Sequence, residues 1–305
     1  MICIGADGGG TVTRLAAFEN GVRIAEADAG PLNYRNISPA EAARHLAEGL
    51  AALGIPAARI TAMGIADPSL DDAAETDDVA AGRFYAILSE RLSFPVYARS
   101  DAFITLTGLK RDGPAVLVIA GTGSMGIARN AAGEIRTAGG WGRLTGDEGS
   151  GYTIAVRAIR SALRAADGLG GPTALTGALL GYFGVTSPRR LIPVLYGDPK
   201  PDIAAFSREV ARCADRGDET AAAILRDAAD GLAEIAAHLV RWSGSRTVGI
   251  WGSVLIRNER VRGRFEGTLR KLAGDVYIAV PPLSAEEAAA DYAATLSEKT
   301  STAKE

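Results

Sequence analysis

Three short apolar runs in this chain each end in a glycine-rich turn, and no other feature restricts its fold as much. Ile2 to Ala6 leads into Asp7-Gly8-Gly9-Gly10-Thr11. Val116 to Ala120 leads into Gly121-Thr122-Gly123-Ser124, and Val248 to Trp251 into Gly252-Ser253. A fourth run, Pro95 to Arg99, is closed by Asp101. Short apolar runs bounded by turn residues read as buried strands. Turns with several glycines let backbone N–H groups approach an anion without interference from Cβ. Two such turns in separate halves of the chain suggest a nucleotide held between two domains.

The runs fall into a pattern that occurs twice. In the first half, strands are expected at Ile2–Ala6, Val12–Phe18 and Val22–Ala27, with Asn20-Gly21 giving the tight hairpin signal. A helix over Pro39–Leu53, a strand at Ile60–Ala66, a helix over Asp72–Leu92, the strand Pro95–Arg99 and a helix from Asp101 follow. The second half repeats this with strands at Val116–Ala120, Met125–Arg129 and Ile135–Ala138. Helical texture runs from Asp147 to Ala166 and again over Asp202–Trp242, after a Gly/Pro-rich stretch. Val248–Trp251, a helix over Asn258–Leu272, Val276–Val280 and a last helix at Ala285–Leu296 complete it, and the polar tail from Ser297 to Glu305 is expected to fray. A duplicated three-strand meander followed by alternating helices and strands implies two α/β domains with mixed sheets.

Composition narrows the function. The chain has 305 residues, enough for two ordinary domains, with 47% hydrophobic and 23% charged residues. Its net charge of −3 leaves no basic excess, which argues against nucleic acid or an anionic membrane as partner. No apolar stretch reaches the roughly 20 residues that span a bilayer, and no signal peptide is read at the N-terminus. The two cysteines, Cys3 and Cys213, make neither a disulfide framework nor a four-ligand metal site. A cytoplasmic protein is expected.

The candidate site residues each have a plain and a chemical reading. Gly121-x-Gly123-x-x-Gly126 matches the dinucleotide fingerprint, but that motif must open a helix. Here Ile127 to Arg129 and the turn Asn130–Gly133 read as strand and hairpin. Gly8 to Gly10 could be an ordinary hairpin. The flanking Asp7 and Thr11 add a carboxylate suited to hydrated Mg²⁺ and a hydroxyl suited to phosphate, as Thr122 does in the second turn. Asp101 could simply cap a helix starting at Ala102. Ligands in open α/β sheets, however, bind beyond the carboxyl ends of the strands, where Asp7, Asp101 and the Gly121 turn are all expected. The segment Gly139-Gly140-Trp141-Gly142 followed by Gly146-Asp147-Glu148-Gly149-Ser150-Gly151 is the densest in glycine. It could be a surface loop with Asp147 or Ser150 as helix cap. Its acids could also accept hydrogen bonds from sugar hydroxyls, with the aromatic as a pocket wall. His45 and His238 read as surface or packing residues.

Taken in order, Asp7-Gly-Gly-Gly-Thr11, Ser100-Asp101-Ala102, Ala120-Gly-Thr-Gly-Ser124, Gly139-Gly-Trp-Gly142, Gly146-Asp-Glu-Gly-Ser150 and Gly252-Ser253-Val254 resemble the N-acetylglucosamine kinase branch of the BadF/BadG/BcrA/BcrD ATPases. That branch lies within the sugar kinase/Hsp70/actin superfamily, and the resemblance covers about residues 2–290. It implies an α/β protein of two RNase H-like, actin-like ATPase domains with mixed five-stranded sheets and an active site in the cleft between them. The domains would be 1–110, with the helix about 285–298 packed on it, and 111–284. The resemblance further implies ATP and Mg²⁺, with Asp7 near the metal. Gly9, Gly10, Thr11, Gly121, Thr122 and Gly123 would hold phosphates, and Gly217, Gly252 and Ser253 would flank the adenosine. Asn33, Ser124, Gly140, Trp141, Gly142 and Asp147 would contact an amino sugar, and Asp101 would be the catalytic base. A homodimer is implied as well.

The implied reaction is phosphorylation of the 6-hydroxyl of N-acetylglucosamine. Met125 stands where a mammalian member has a sugar-contacting asparagine, which keeps glucosamine as an alternative. Pro282-Leu-Ser-Ala-Glu-Glu-Ala288 also lacks the Gly-Ala usual after that proline. An ATPase activator of an electron-transfer enzyme would need cysteines for an iron–sulfur cluster. A non-catalytic sugar sensor would lack the base.

Overall fold

In the computed structural model, which describes residues 1–9, 11–33, 37–70, 79–198 and 202–302, the first apolar run is strand β1 (Ile2–Gly8). It pairs antiparallel with β2 (Thr13–Glu19), which pairs antiparallel with β3 (Val22–Ala29). On its other side β1 runs parallel to β4 (Ile60–Ala66), and β4 parallel to β5 (Val96–Arg99). The sheet order is β3-β2-β1-β4-β5. Helix α1 (Pro39–Ala52) joins β3 to β4, α2 (Val79–Leu92) precedes β5, and α3 (Asp101–Leu109) follows it. The parallel pairs bring the carboxyl ends of β1, β4 and β5 to one edge.

Alternation along β1 assigns its two faces. Ile2, Ile4 and Ala6 join Leu15, Ala17, Leu46, Met63, Ile65 and Leu88 in a core under α1 and α2. Cys3 points the other way, with Ala16, Phe18 and Ala290. That second face is covered by α11 (Ala285–Thr302), which packs on β1, β4, β2 and α3. Gly5 and Gly64 face each other in the β1–β4 register and make this possible. A Cβ on Gly5 would stand 1.7 Å from the Glu286 carbonyl oxygen, and one on Gly64 would stand 1.9 Å from that of Ala289. The helix backbone lies directly on the sheet backbone.

The second sheet repeats the order of the first, as β10-β9-β6-β7-β8. It holds β6 (Ala115–Ala120), β7 (Ser124–Arg129), β8 (Ile135–Gly139), β9 (Thr247–Trp251) and β10 (Tyr277–Ala279), with β9 parallel to both β6 and β10. Its helices are α4 (Gly151–Ala166), α5 (Leu175–Phe183), α6 (Leu191–Tyr196), α7 (Ser207–Asp215), α8 (Glu219–Ser243), α9 (Ser253–Arg257) and α10 (Glu259–Ala273). The core gathers Val118, Ile154, Phe206, Leu232, Ile250 and Phe265. The chain divides into a unit of Met1–Ala115, Arg129–Arg136 and Val280–Glu305 and a unit of Val116–Ala128 and Thr137–Ala279. No helix among the described residues is long and apolar enough to cross a membrane.

Four segments differ from the sequence reading. Helix α4 starts at Gly151 rather than Asp147, because Ser150 is the N-cap and accepts from the Thr153 N–H at 3.1 Å. The helical region expected over Asp202–Trp242 is broken at Gly217 (φ +90°), and Asp218 caps the new helix. The Gly/Pro-rich stretch before it contains α5 and α6. The polar tail does not fray at Ser297: α11 continues to Thr302, with the Thr300 hydroxyl donating to the Leu296 carbonyl at 2.8 Å. The expected helical segment before Val79 lies in 71–78, outside the described residues.

Candidate active site

The first unit gathers three acids at the carboxyl edge of its sheet. Asp7 pairs with Ala66 and Ala66 with Arg99, so Asp7, Asp67 and Asp101 follow one another across β1, β4 and β5. Burial holds the half-buried Asp7 carboxyl above its ordinary pKa. The carboxylates of Glu286 and Asp101 push the same way, and Arg14 pulls against them. Asp101 is the first residue of α3 rather than its cap. The cap is Ser100, whose hydroxyl accepts from the Phe103 N–H at 3.0 Å. Asp101 Oδ1 accepts from the Ala102 N–H at 2.7 Å.

Sequence reasoning missed Asp67, which is fully buried. Its carboxylate accepts from the Ser69 N–H at 2.8 Å, the Ser69 hydroxyl at 2.6 Å and the Tyr85 hydroxyl at 2.5 Å. Its N–H donates to the Arg99 carbonyl at 2.9 Å, tying the end of β4 to the residue before the α3 cap. The signal was present as an acid directly after an apolar run, in Ala66-Asp67-Pro68-Ser69.

The first glycine turn is held by close backbone contact. A Cβ on Gly9 would meet the Val12 carbonyl oxygen at 2.2 Å. The Gly9 carbonyl accepts from the Leu32 N–H at 3.4 Å, so the segment carrying Asn33 is attached to this turn. Thr11 is exposed and Asn33 half-buried. Gly10 lies outside the described residues.

In the second unit, α4 orients the second glycine turn. The Gly151 N–H donates to the Gly121 carbonyl at 2.8 Å, and the Tyr152 N–H to the Thr122 carbonyl at 3.2 Å. In a trans peptide a carbonyl and the following N–H point in opposite directions. Bonding these two carbonyls to α4 therefore turns the Thr122 and Gly123 N–H groups away from the helix. The Gly121 N–H closes the turn on the Gly123 carbonyl at 2.9 Å. The fingerprint Gly121-x-Gly123-x-x-Gly126 runs into strand β7, not a helix, as its context indicated.

Asp147 stands against this turn. It is buried and has φ +62°, a backbone state uncommon for a residue with a side chain. Its carbonyl accepts from the Ser150 N–H at 3.0 Å and the Thr153 hydroxyl at 2.9 Å. The Ser124 hydroxyl donates to the Glu148 carbonyl at 2.7 Å, so the start of β7 and the acidic loop are fastened together. Gly140 and Gly142 are exposed, and Trp141 is 78% exposed. The ring expected as a pocket wall projects to solvent from its own unit.

A cavity of about 680 Å³ opens beside the turn, lined within this unit by Gly121, Thr122, residues of α7 and α9, and the first residues of α10. Gly252 (φ +88°) lets the third turn close on the second. A Cβ there would stand 2.4 Å from the Ala120 carbonyl oxygen. Gly217, in the turn between α7 and α8, does not line this cavity. Ser207, Arg208 and Arg257 do, and no motif had pointed to them.

Among the described residues no three His, Cys, Asp or Glu side chains are grouped to hold a metal ion. Mg²⁺ bound with nucleotides usually takes only one or two carboxylates and fills the rest with phosphate oxygens and water. Asp7, crowded by two other carboxylates, fits that pattern.

Known proteins agree with this architecture. The model of the BadF/BadG/BcrA/BcrD ATPase family matches residues 4–290. The chain belongs to that family. It is 34% identical over 241 residues to an N-acetylmuramic acid/N-acetylglucosamine kinase of Clostridium acetobutylicum, covering 75% of this chain and 76% of the relative. It is 30% identical over 269 residues to an N-acetyl-D-glucosamine kinase of Dictyostelium discoideum, covering 80% of each. A solved Chromobacterium violaceum structure assigned to N-acetylglucosamine kinase superposes with a TM-score of 0.71 at 26% identity, over 94% of this chain and 97% of that one. A ROK family glucokinase from Streptomyces griseus shares the fold at a TM-score of 0.61 and 17% identity, over 97% of this chain and all of the other. The family member described here thus carries the two-domain fold of actin-like ATPases and sugar kinases.

Proposed function

We propose that this family member is an ATP-dependent kinase that phosphorylates the 6-hydroxyl of N-acetylglucosamine. The observation that carries the nucleotide half is the Gly121–Gly123 turn. The Thr122 and Gly123 N–H groups are turned away from α4, at the border of a cavity large enough for a nucleoside. The sugar follows from the two curated relatives at 34% and 30% identity, whose names both include N-acetylglucosamine.

In this reading the glycine turns, with Thr11 and Thr122, bind phosphate oxygens. Ser253 and the lining of the cavity between α7 and α9 take the adenosine. Asn33, Ser124, Asp147 and the Gly140–Gly142 segment bind the sugar. Asp101 accepts the proton of the attacking hydroxyl. Mg²⁺ near Asp7 would offset charge that develops on the phosphates. Gly217, in the turn between α7 and α8, flanks the adenosine in this reading from beyond the lining of that cavity. A cytoplasmic homodimer acting on ATP and free sugar, without nucleic acid or membrane, belongs to the same proposal.

The test is a panel of N-acetylglucosamine, glucosamine, N-acetylmuramic acid and glucose with ATP and Mg²⁺, following ADP release. N-acetylglucosamine should give the highest kcat/KM. A pocket built to pair a polar substituent rejects analogues that lack it, so glucose should be clearly poorer. Glucose used equally well would overturn the amino-sugar assignment, and no ADP release with any of these sugars would overturn the kinase.

A further inference from the structure

His45 read as a surface or packing residue, but the structure gives it specific work. It lies on α1, is 9% exposed, and its ring faces the segment that leaves β3 toward Asn33. Nδ1 is 2.9 Å from the Pro31 carbonyl oxygen, and Nε2 is 3.0 Å from an Arg44 guanidinium nitrogen. Partner chemistry fixes the tautomer. A carbonyl can only accept, so Nδ1 carries the proton; a guanidinium can only donate, so Nε2 accepts. Arg44 is itself oriented by Glu48, donating to Oε1 at 2.8 Å. The result is a chain in which Arg44, held by Glu48, donates to His45 and His45 donates to the Pro31 carbonyl.

Two further contacts complete the clamp. Gly30 lies flat on the imidazole, where a Cβ would be 2.5 Å from His45 Cγ. One residue beyond Pro31, Leu32 is fully buried and donates its N–H to the Gly9 carbonyl. The backbone just before Asn33 is therefore fixed from α1 on one side and from the first glycine turn on the other.

We infer that His45 is a positioning residue for sugar binding: its Nδ1–H bond to Pro31, with the Leu32–Gly9 bond, holds Asn33 where it meets the sugar. This inference rests on the assignment of Asn33 to the sugar. Loss of one such bond should raise the KM for sugar about 3- to 10-fold while kcat and the KM for ATP stay unchanged.

The experiment compares His45→Ala, His45→Asn, His45→Gln, Gly30→Ala and Asn33→Ala by steady-state kinetics and melting temperature. The Asn amide nitrogen falls where Nδ1 was, so His45→Asn should regain most of the sugar affinity lost in His45→Ala. The Gln amide falls where Nε2 was and should not. Gly30→Ala displaces the ring without touching its chemistry and should mimic His45→Ala. It also serves if His45→Ala fails to fold. In an Asn33→Ala background His45→Ala should add little further loss. A raised sugar KM in Asn33→Ala beside an unchanged one in His45→Ala and Gly30→Ala overturns the inference and leaves the sugar site standing. So does equal behaviour of the Asn and Gln variants. An unchanged sugar KM in Asn33→Ala removes the assignment of Asn33 itself, and the inference with it.

Discussion

The Asp147 carboxylate lies against the Cα of Gly123, so that a Cβ on Gly123 would stand 3.1 Å from Oδ2 and 3.5 Å from Cγ. Two motifs 24 residues apart thus share one space. The turn proposed for phosphate and the acid proposed for sugar are packed on each other inside a single unit. The Ser124–Glu148 and Gly151–Gly121 hydrogen bonds brace the contact from either side.

Gly123→Val should therefore weaken both ligands. The added side chain displaces the Asp147 carboxylate or opens the turn, and overpacking of this kind costs about 1–3 kcal/mol. Where that cost falls on the binding geometry, it corresponds to roughly 5- to 150-fold in affinity. Calorimetric titration of the folded variant should show weaker ATP and weaker N-acetylglucosamine binding. If the shared space is the cause, Gly123→Ala should cost less in an Asp147→Ala background than alone. Strict additivity would mean that the two residues act separately.

The docking of α11 gives a stability prediction. Gly5→Ala and Gly64→Ala each place a methyl group inside the backbone of α11, at 1.7 and 1.9 Å from carbonyl oxygens. Neither obstacle is a flexible side chain, so the helix must move. Each variant should lose at least about 1–3 kcal/mol in urea unfolding. A neutral Gly64→Ala would mean that α11 does not press on the sheet as the structure has it.

Much of the architecture was legible because apolar runs and glycine turns are local signals. Ile60–Ala66 was read with its observed bounds, and the second sheet's meander was read from the same pattern as the first. What was missed depends on partners distant in sequence. Asp67 looks like a turn residue until Tyr85 is found to donate to it, and His45 looks like a packing residue until Pro31 is found beside it. Gly5 sits inside a strand pattern where glycine only weakens the strand, until α11, some 280 residues later, comes to rest on it. The break at Gly217 was hidden because apolar helical periodicity continues on both sides of it.

Asp218 should make the second unit acid-sensitive. It caps α8 and accepts from the Ala221 N–H at 2.8 Å, the Thr173 hydroxyl at 2.8 Å and the Ala174 N–H at 2.6 Å. Burial on its own would raise its pKa, but these hydrogen bonds to the charged form outweigh it and the pKa is lowered. A carboxyl that ionises more readily folded than unfolded adds stability above its unfolded pKa, about 3.9. That stability is lost as pH falls below this value and through the folded one. Asp218→Asn should destabilise at pH 7, and its deficit relative to wild type should shrink as pH drops below about 4. A deficit independent of pH in urea titrations would show that the charge contributes nothing.

Asp101→Asn isolates proton acceptance from helix capping, because the two belong to different residues. Ser100 provides the cap, and an Asn side-chain oxygen can still accept from the Ala102 N–H as Asp101 Oδ1 does. The substitution removes one negative charge from the first turn of α3, worth about 0.3–1 kcal/mol of helix stability. Melting temperature should change little, and ATP and N-acetylglucosamine binding should persist. An amide cannot take the hydroxyl proton, so kcat should fall about 10²- to 10⁴-fold. Ser100→Ala is the complementary variant. It should cost about 1 kcal/mol of stability through the lost cap, while the base remains in place and turnover falls far less than in Asp101→Asn. Near-wild-type turnover in Asp101→Asn, with a larger loss in Ser100→Ala, would assign the segment to structure and require another base.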